Sequence, residues 1–242
     1  MAVSTVTRRP VREHRPYTWL AVLFPFIVLA GFARSYYLKP LFNTPEIPGL
    51  LVHLHGGIMT AWVVLFVTQV WLVSSRRTKV HQRLGVWGAI LAALVLIVGV
   101  ATSLTAAARG SSVPNIPPLS FLIVPLGDMV VFGVLIGIAL YYRRRMEIHK
   151  RLMALAALYL LTPAIARIPL SFIQNGGALA FFGITDLFIL AFVAIDTTKQ
   201  RKLHPALLWG TLFVIASQPL RIWFAGTDLW QRFATALVAL VS

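Results

Sequence analysis

Leu160-Leu-Thr-Pro-Ala-Ile-Ala-Arg-Ile-Pro-Leu170 is an apolar stretch that carries one arginine, Arg167, between Pro163 and Pro169. A guanidinium at the centre of a bilayer costs roughly 2.5 to 3.5 kcal/mol on insertion scales, so it persists only where other groups or water receive it. We therefore expect the rest of the chain to supply polar partners for this arginine within a membrane.

The composition is that of an integral membrane protein. Of the 242 residues, 58% are hydrophobic and 12% are charged, and the mean hydropathy is +0.80. The net charge of +15 comes from short basic clusters between apolar segments, which argues against a nucleic-acid-binding face and indicates the positive-inside pattern. The absence of cysteine excludes disulfides, thiolate metal sites and cysteine nucleophiles.

Seven apolar segments are long enough to cross a hydrocarbon core of about 30 Å. We predict an all-α polytopic bundle with a basic tail at 1–16, a seven-helix transmembrane domain at 17–226 and a short amphipathic outer tail at 227–242. The first segment also has features of a signal peptide, with a candidate cleavage site at Gly31-Phe-Ala33. The predicted segments are Tyr17–Leu38, Gly49–Val73, Leu84–Ala106, Leu119–Tyr142, Leu152–Ile173, Gly177–Ile195 and Pro205–Gly226.

The basic residues predict the orientation. One side of the predicted membrane carries Lys39, Arg109 and Arg232. The other side carries Arg8, Arg9, Arg12, Arg15, Arg76, Arg77, Lys79, Arg83, Arg143, Arg144, Arg145, Lys150, Arg151, Lys199, Arg201 and Lys202. This asymmetry predicts a multi-pass protein of the bacterial inner membrane with its N-terminus inside and its C-terminus outside, whose cytoplasmic loops contact anionic lipid headgroups.

An internal repeat predicts how the helices are connected. Arg76-Arg-Thr-Lys-Val-His-Gln-Arg-Leu84 aligns without gaps with Arg144-Arg-Met-Glu-Ile-His-Lys-Arg-Leu152, and Lys199-Gln-Arg-Lys-Leu-His-Pro-Ala-Leu207 repeats the pattern more weakly. We therefore predict one anchor helix followed by three tandem hairpins, each re-entering the membrane just after a histidine.

A charged layer is predicted in the outer half of the membrane. From a rise of about 1.5 Å per residue, six side chains fall at similar depth, and Pro125, Pro163, Pro169 and Pro219 interrupt helices in the same half. The six are Arg34, His55, Asp128, Arg167, Asp186 and Arg221. In a ligand-binding cavity, Arg167 and Arg221 would donate to an anion, Asp128 and Asp186 would orient them, His55 would tune protonation, and Gln218 would line the wall. Alternatively, two Arg–Asp pairs only lock the helices together.

Three histidines, His81, His149 and His204, begin odd-numbered helices on the cytoplasmic side. Their basic neighbours argue against zinc, and capping or headgroup contact is the simplest interpretation. An alternative is one b-type haem held by His81 and His149, with nearby arginines holding the propionates. The remaining hypotheses for these histidines are zinc binding and pH sensing.

Several motifs carry a resemblance to known proteins. They are His53-Leu-His-Gly56, His81-Gln-Arg-Leu-Gly85, His149-Lys-Arg-Leu-Met153, Ala166-Arg-Ile-Pro169 and Ser217-Gln-Pro-Leu-Arg221. Over residues 49–226 the chain resembles a family of uncharacterised bacterial seven-helix membrane proteins with repeated His-x-Arg-Leu motifs, which supports the architecture and implies no activity. Paired histidines on alternating helices also give a looser likeness to cytochromes of the b561 kind, although no histidine on helix four lies opposite His55.

The sequence contains no motif typical of a membrane di-iron oxygenase, a serine or zinc hydrolase, or a nucleotide-binding enzyme. Our first hypothesis is therefore a non-enzymatic membrane protein whose outer layer binds or conducts a small polar or anionic ligand. The second is a haem-binding electron-transfer protein, and the third is an accessory subunit of a larger membrane complex.

Overall fold

The computed structural model describes residues 15–111 and 116–241, and all regular secondary structure in these ranges is helical, as predicted. Most of the basic tail at 1–16, including Arg8, Arg9 and Arg12, lies outside the described residues. A π-helix (Ala33–Tyr37) and a 3-10 helix (Lys39–Leu41) follow the first α-helix. The α-helices are α1 (Arg15–Phe32), α2 (Leu50–Ser74), α3 (Thr78–Ala108), α4 (Pro118–Phe121), α5 (Ile123–Tyr141), α6 (Met146–Tyr159), α7 (Thr162–Ile165), α8 (Ser171–Gln200), α9 (Pro205–Ala225) and α10 (Asp228–Val238).

Seven spans are long and apolar enough to cross a membrane, which identifies the chain as an integral membrane protein. Consecutive spans pack as the predicted hairpins, α2 with α3, α5 with α6 and α8 with α9, beside the anchor helix α1. The spans are Pro16–Tyr37, Leu50–Ser74, Thr78–Ala108, Pro118–Tyr141, Met146–Ile165, Ser171–Gln200 and Pro205–Ala225.

The fifth span is the centre of the bundle. Within its most apolar part 72% of residues are buried, whereas the other spans are 17 to 44% buried. Helix α6 contacts α1, α5, α8 and α9, and Ala154, Ala156 and Ala157 are completely or almost completely buried in it. Small side chains at these positions let the neighbouring helices approach closely, as helices in membranes do. A span surrounded by protein can also carry polar side chains that a lipid-facing span cannot.

This central span ends earlier than the sequence predicted. Instead of continuing to Ile173, the span ends at Ile165, after an interruption at residues 160–161 between α6 and α7. Helix α8 begins at Ser171 rather than at Gly177. Pro169 has no backbone N–H and disfavours helical geometry at the residue before it, so residues 166–170 leave the helix. Gly177 remains a kink inside α8, because its φ of 53° and ψ of −137° are accessible mainly to glycine.

The bundle has two distinct ends. We call the end formed by the loops at 75–77, 142–145 and 201–204 the basic end, because these loops carry most of the described Arg and Lys residues outside the helices. The opposite end holds the loops at 38–49 and 166–170 and the described residues 109–111 and 116–117. Helix α1 begins at the basic end, where Tyr17 donates a hydrogen bond to Asp196 of α8 at 3.3 Å.

Helix α1 is part of the core rather than a peripheral anchor. Leu20 and Phe24 are buried in the main apolar cluster. Near its end, a Cβ added at Gly31 would lie 2.1 Å from the carbonyl oxygen of Ala164, so only glycine permits this contact between α1 and α7. The anchor helix thereby reaches the break at 166–170.

The amphipathic tail forms α10, which packs over the opposite end. Thr227 caps its N-terminus, and the Trp230 indole N–H donates to the carbonyl of Leu119 at 2.9 Å. Gln231 donates to Ser120 at 3.0 Å, and the buried Ala234 completes a second apolar cluster with α3 and α5. The tail therefore covers the ends of these helices that lie at the opposite end of the bundle.

Candidate functional site

A buried polar cluster joins three helices in the half of the bundle nearer the opposite end. The Arg221 guanidinium of α9 lies 2.7 Å from Oδ1 of Asp128 in α5 and donates at 2.9 Å to the Tyr159 hydroxyl at the end of α6. Tyr159 in turn donates to the same Asp128 oxygen at 2.5 Å. All three side chains are buried. The arrangement neutralises the charge of each ion and connects both to one hydroxyl.

Two further N–H groups of Arg221 donate to backbone carbonyls. Its Nε donates to the carbonyl of Ser217 at 3.1 Å and its Nη1 donates to that of Val124 at 3.0 Å. The guanidinium lies over the Phe182 ring at 5.3 Å. Space for it comes from Gly127, where an added Cβ would lie 2.1 Å from Cδ of Arg221. Groups of the protein itself therefore accept from four of the five N–H donors of Arg221.

The second predicted aspartate has a different partner. Asp186 of α8 accepts a hydrogen bond from the Gln218 amide at 2.8 Å, and among the described residues no cation lies within 4 Å of it. Next to it, Thr185 and Thr162 are hydrogen-bonded at 3.1 Å, and Thr162 also donates to the Tyr159 carbonyl. The structure thus contains one Arg–Asp pair and one Asp–Gln pair in this layer, rather than two Arg–Asp pairs.

Arg167 does not join the buried cluster. It lies in the break between α7 and α8, is exposed, and donates from Nη1 to the carbonyl of its own Pro163 at 2.8 Å. The Phe32 ring lies beneath the guanidinium at 4.9 Å. His55, half-buried on α2, lies near enough to interact electrostatically with Arg167, whereas His53 is exposed. Among the described residues no carboxylate lies within 4 Å of Arg167.

Arg34, the sixth member of the predicted layer, is in the π-helix at the end of the first span. Its guanidinium lies over Phe42 at 5.4 Å. The neighbouring Tyr36 donates from its hydroxyl to the His53 carbonyl at 3.2 Å. These contacts hold the start of α2 against the end of the first span, close to the segment that carries Arg167.

At the basic end, His81 and His149 lie side by side. Their ring centres are 6.4 Å apart, and the rings are inclined by 74°. His149 Nδ1 is 2.8 Å from the carbonyl oxygen of Ala139, and a carbonyl only accepts, so Nδ1 is the donor; in the neutral ring the lone pair is then on Nε2. His81 Nδ1 is buried without a hydrogen-bond partner among the described residues.

A second buried ion pair lies at the basic end. Arg151, with 1% of its surface exposed, donates from Nε to Asp196 at 2.8 Å and from Nη1 to Glu147 at 2.5 Å. Glu147 also pairs with Lys150 at 2.8 Å. An ion pair thus joins α6 to α8 at the basic end. The Arg221–Asp128 pair joins α9 to α5 nearer the opposite end.

Tyr159 and the Arg151–Asp196 pair were not predicted from the sequence. Aromatic anchors lie at the ends of apolar segments, whereas Tyr159 lies inside one. This position could have indicated that its hydroxyl has a polar partner within the bundle. Glu147 and Arg151 are spaced i, i+4, which predicts an ion pair on a helix. The pairing of Asp196 with Arg151 could not be predicted from local spacing, because the two residues are 45 positions apart in the sequence.

Among the described residues, no group of three or more His, Asp or Glu side chains is arranged to hold a metal ion. Comparison with known proteins finds no matching family model, no matching curated protein and no matching solved structure.

Proposed function

We propose that the protein is an integral protein of the bacterial inner membrane that binds a small anion at Arg167, at the outer end of the bundle. The observation that supports this most is the unsatisfied guanidinium. Arg221 and Arg151 are each paired with carboxylates, whereas Arg167 has none within 4 Å among the described residues. One of its N–H groups is used by Pro163, so the others remain free for a ligand.

The surroundings of Arg167 suit an anion. The Phe32 ring supports one face of the guanidinium, which limits its motion and leaves the edge with the donors available. His55 adds a titratable group that donates a hydrogen bond in either charge state when its ring is suitably oriented. A carboxylate, bicarbonate or phosphate would be recognised by the planar donor fork of Arg167, and lysine would reproduce the charge without this geometry.

The apolar middle part of the central helix α6 favours a protein that binds an anion over one that conducts it across the membrane. Between Arg151 and Tyr159, about 12 Å along α6, the helix contributes only Leu, Met and Ala side chains. Leu155 and Ala156 are fully buried there. A charged solute that crossed this region would lose its hydration without finding polar partners on the central helix, at a cost of several kcal/mol.

Thermal unfolding of the detergent-purified protein in chloride, acetate, bicarbonate or phosphate, at constant ionic strength, tests the proposal. At least one of these anions is expected to raise the unfolding midpoint, since saturation at about 100 times Kd stabilises by roughly 2.7 kcal/mol. Arg167→Gln is expected to abolish that shift and Arg167→Lys to reduce it. Arg109→Gln, at the same end of the bundle, is the control. Equal shifts in Arg167→Gln and the unchanged protein for every one of these anions would refute the proposal.

The orientation is part of the same proposal and rests on the basic loops, which the positive-inside rule places in the cytoplasm. The chain has no cysteine, so single cysteines can be introduced without background. Glu46→Cys, in a loop at the opposite end, is expected to react with a membrane-impermeant maleimide in spheroplasts, in which the outer face of the inner membrane is accessible. Arg144→Cys is expected to react only after the membrane is opened. The reverse labelling pattern would show that the protein has the opposite orientation in the membrane.

A second candidate function, electron transfer by one b-type haem, is supported by the His81–His149 pair. The two ring centres lie 6.4 Å apart, and histidine is an accepted ligand of haem iron, so His81 and His149 could together hold one haem. The Ala139 carbonyl orients His149 with Nε2 available, as second-shell partners of ligating histidines do.

When bound, a haem would supply reversible one-electron chemistry. Absorption spectra of the gently purified protein, oxidised and then reduced with dithionite, test this candidate. A Soret band that is present in the unchanged protein and in His53→Ala, but absent in His81→Ala and His149→Ala, would support it. A colourless protein would rule it out and leave the anion site as the proposal.

A further inference from the structure

An open cleft lies at the basic end, far from Arg167. Its volume is about 520 Å³, and its polar lining comprises Glu147, Arg151, Gln200, Lys202 and His204. The chain reverses here through Arg201, whose φ of 53° lies in the left-handed region. This turn brings Lys202 and His204 next to the first two turns of α6.

Arg151 is fixed at the wall of this cleft. Asp196 and Glu147 hold its Nε and Nη1, while Nη2 has no hydrogen-bond partner among the described residues. The side chain is 1% exposed and lines the cleft. An arginine held in this way loses little further side-chain entropy when a ligand accepts a hydrogen bond from Nη2.

His204 presents a second donor. Its Nδ1 accepts a hydrogen bond from the backbone N–H of Ala206 at 3.1 Å and so caps the N-terminus of α9. In the neutral ring the proton is therefore on Nε2, which is a donor. Burial, followed by the charge of Arg151, lowers the pKa of His204 and favours this neutral form.

The carboxylates around the cleft are already neutralised. Glu147 is paired with Lys150 and Arg151, and Asp196 accepts from Arg151 and Tyr17. Lys202 has no carboxylate within 4 Å among the described residues. The lining thus has an excess of donors and an unpaired cation, which favours a ligand with several acceptor oxygens and negative charge.

We propose that this cleft binds a phosphate group, with Arg151 Nη2, His204 Nε2 and Lys202 Nζ as its donors. A phosphate supplies acceptor oxygens for all three, and charge-assisted hydrogen bonds of this kind are about twice as strong as neutral ones. The cleft lies at the end of the membrane spans, so the phosphate belongs either to a phospholipid headgroup or to a soluble phosphate compound.

The test uses the full chain in two arms. In the first arm, inorganic phosphate is titrated calorimetrically into detergent-purified protein. In the second, native mass spectrometry measures how much phosphatidylglycerol stays bound after purification from mixed phosphatidylglycerol and phosphatidylcholine. Binding in the first arm alone indicates a soluble phosphate compound, and retention in the second indicates a lipid headgroup.

The variants locate the site. Lys202→Gln is expected to weaken binding up to about five-fold, the upper end for an exposed ion pair. His204→Asp keeps an N-cap acceptor but adds a negative charge, so it is expected to weaken binding more than ten-fold, or about 1.4 kcal/mol. Lys199→Gln, in the same segment but outside the cleft lining, is the control and should bind normally.

Arg167→Gln separates this site from the anion site at the opposite end. Phosphate or lipid binding that survives Arg167→Gln and is lost in His204→Asp belongs to the cleft. Binding that is equal in the unchanged protein, Lys202→Gln and His204→Asp would overturn the proposal, and so would the absence of binding in both arms. Neither result would affect the proposal for Arg167.

Discussion

Arg221 and Asp128 form a buried ion pair at 2.7 Å across 93 residues of sequence, and Tyr159 donates to one partner and accepts from the other. The pair connects α9 to α5, and Tyr159 attaches both to the central helix. Each ion depends on the other, because a single buried charge without its partner is far more costly than the neutral pair.

Removal of one partner is therefore expected to destabilise the protein strongly. Asp128→Ala and Arg221→Ala should each lower the free energy of unfolding by about 3 to 5 kcal/mol, whereas the double variant should lose much less than the sum. Tyr159→Phe, which removes only the hydroxyl, should lose about 1 to 3 kcal/mol. Unfolding of the detergent-purified variants measures these changes, and effects that add within about 0.5 kcal/mol would contradict the coupling.

A glycine provides the space for this pair. Gly127→Ala should displace Arg221 from Asp128, because the new Cβ would lie 2.1 Å from Cδ of Arg221. The expected cost is about 1 to 3 kcal/mol, typical of overpacking. Gly137 lies in the same helix with no atom within 4 Å of an added Cβ, so Gly137→Ala is the matched control. It should be neutral or stabilising by up to about 1 kcal/mol. Equal unfolding midpoints for the two variants would exclude the packing argument.

The sequence predicted the bundle well because hydrocarbon imposes a simple rule on every span. Each apolar segment had to be a helix, so seven spans and three hairpins followed from length and spacing alone. The predicted end of the fifth span at Ile173 was wrong. Pro163 fits in the first turn of α7, whereas Pro169 ends the helical segment. Hydropathy does not distinguish these two prolines.

The site was harder to predict because depth does not determine partners. Asp128, Asp186, Arg167 and Arg221 were placed in one layer, but rotation of each helix decides which of them meet. Asp186 pairs with Gln218, and Arg167 lies outside the cluster because the backbone leaves the helix just before it.

The basic end should give the protein a pH-dependent stability. His204 is faced by Glu147, Lys150 and Arg151 of α6 and by Asp196 of α8, and burial, followed by the Arg151 charge, lowers its pKa from 6.5. The unfolded chain then binds the proton more readily than the folded one. The contribution of His204 to stability is complete above about pH 6.5 and decreases as the pH falls from there to the lower folded pKa.

His204→Asn tests this contribution, because asparagine keeps an N-cap acceptor and does not titrate. The loss of unfolding midpoint between about pH 7 and about pH 5 should be smaller in His204→Asn than in the unchanged protein. His53→Asn, at an exposed histidine of α2, is the control. The same pH dependence in His204→Asn and the unchanged protein would show that other groups cause it.

Arg167 is expected to contribute to binding rather than to folding. It makes no ion pair among the described residues, so Arg167→Gln should change the free energy of unfolding by less than about 1 kcal/mol in the absence of added anion, the range for exposed charges. The unfolding midpoint in anion-free buffer measures this. A loss as large as that of Arg221→Ala would show that Arg167 is part of the structural framework.

The most direct measurement is calorimetric titration of acetate, bicarbonate and phosphate into the purified protein and into Arg167→Gln. We predict saturable binding of at least one of these anions to the unchanged protein, in a component that is absent or at least ten-fold weaker in Arg167→Gln, a loss of about 1.4 kcal/mol. If every one of these anions binds with the same strength to both proteins, or to neither, the assignment of an anion site to Arg167 is contradicted.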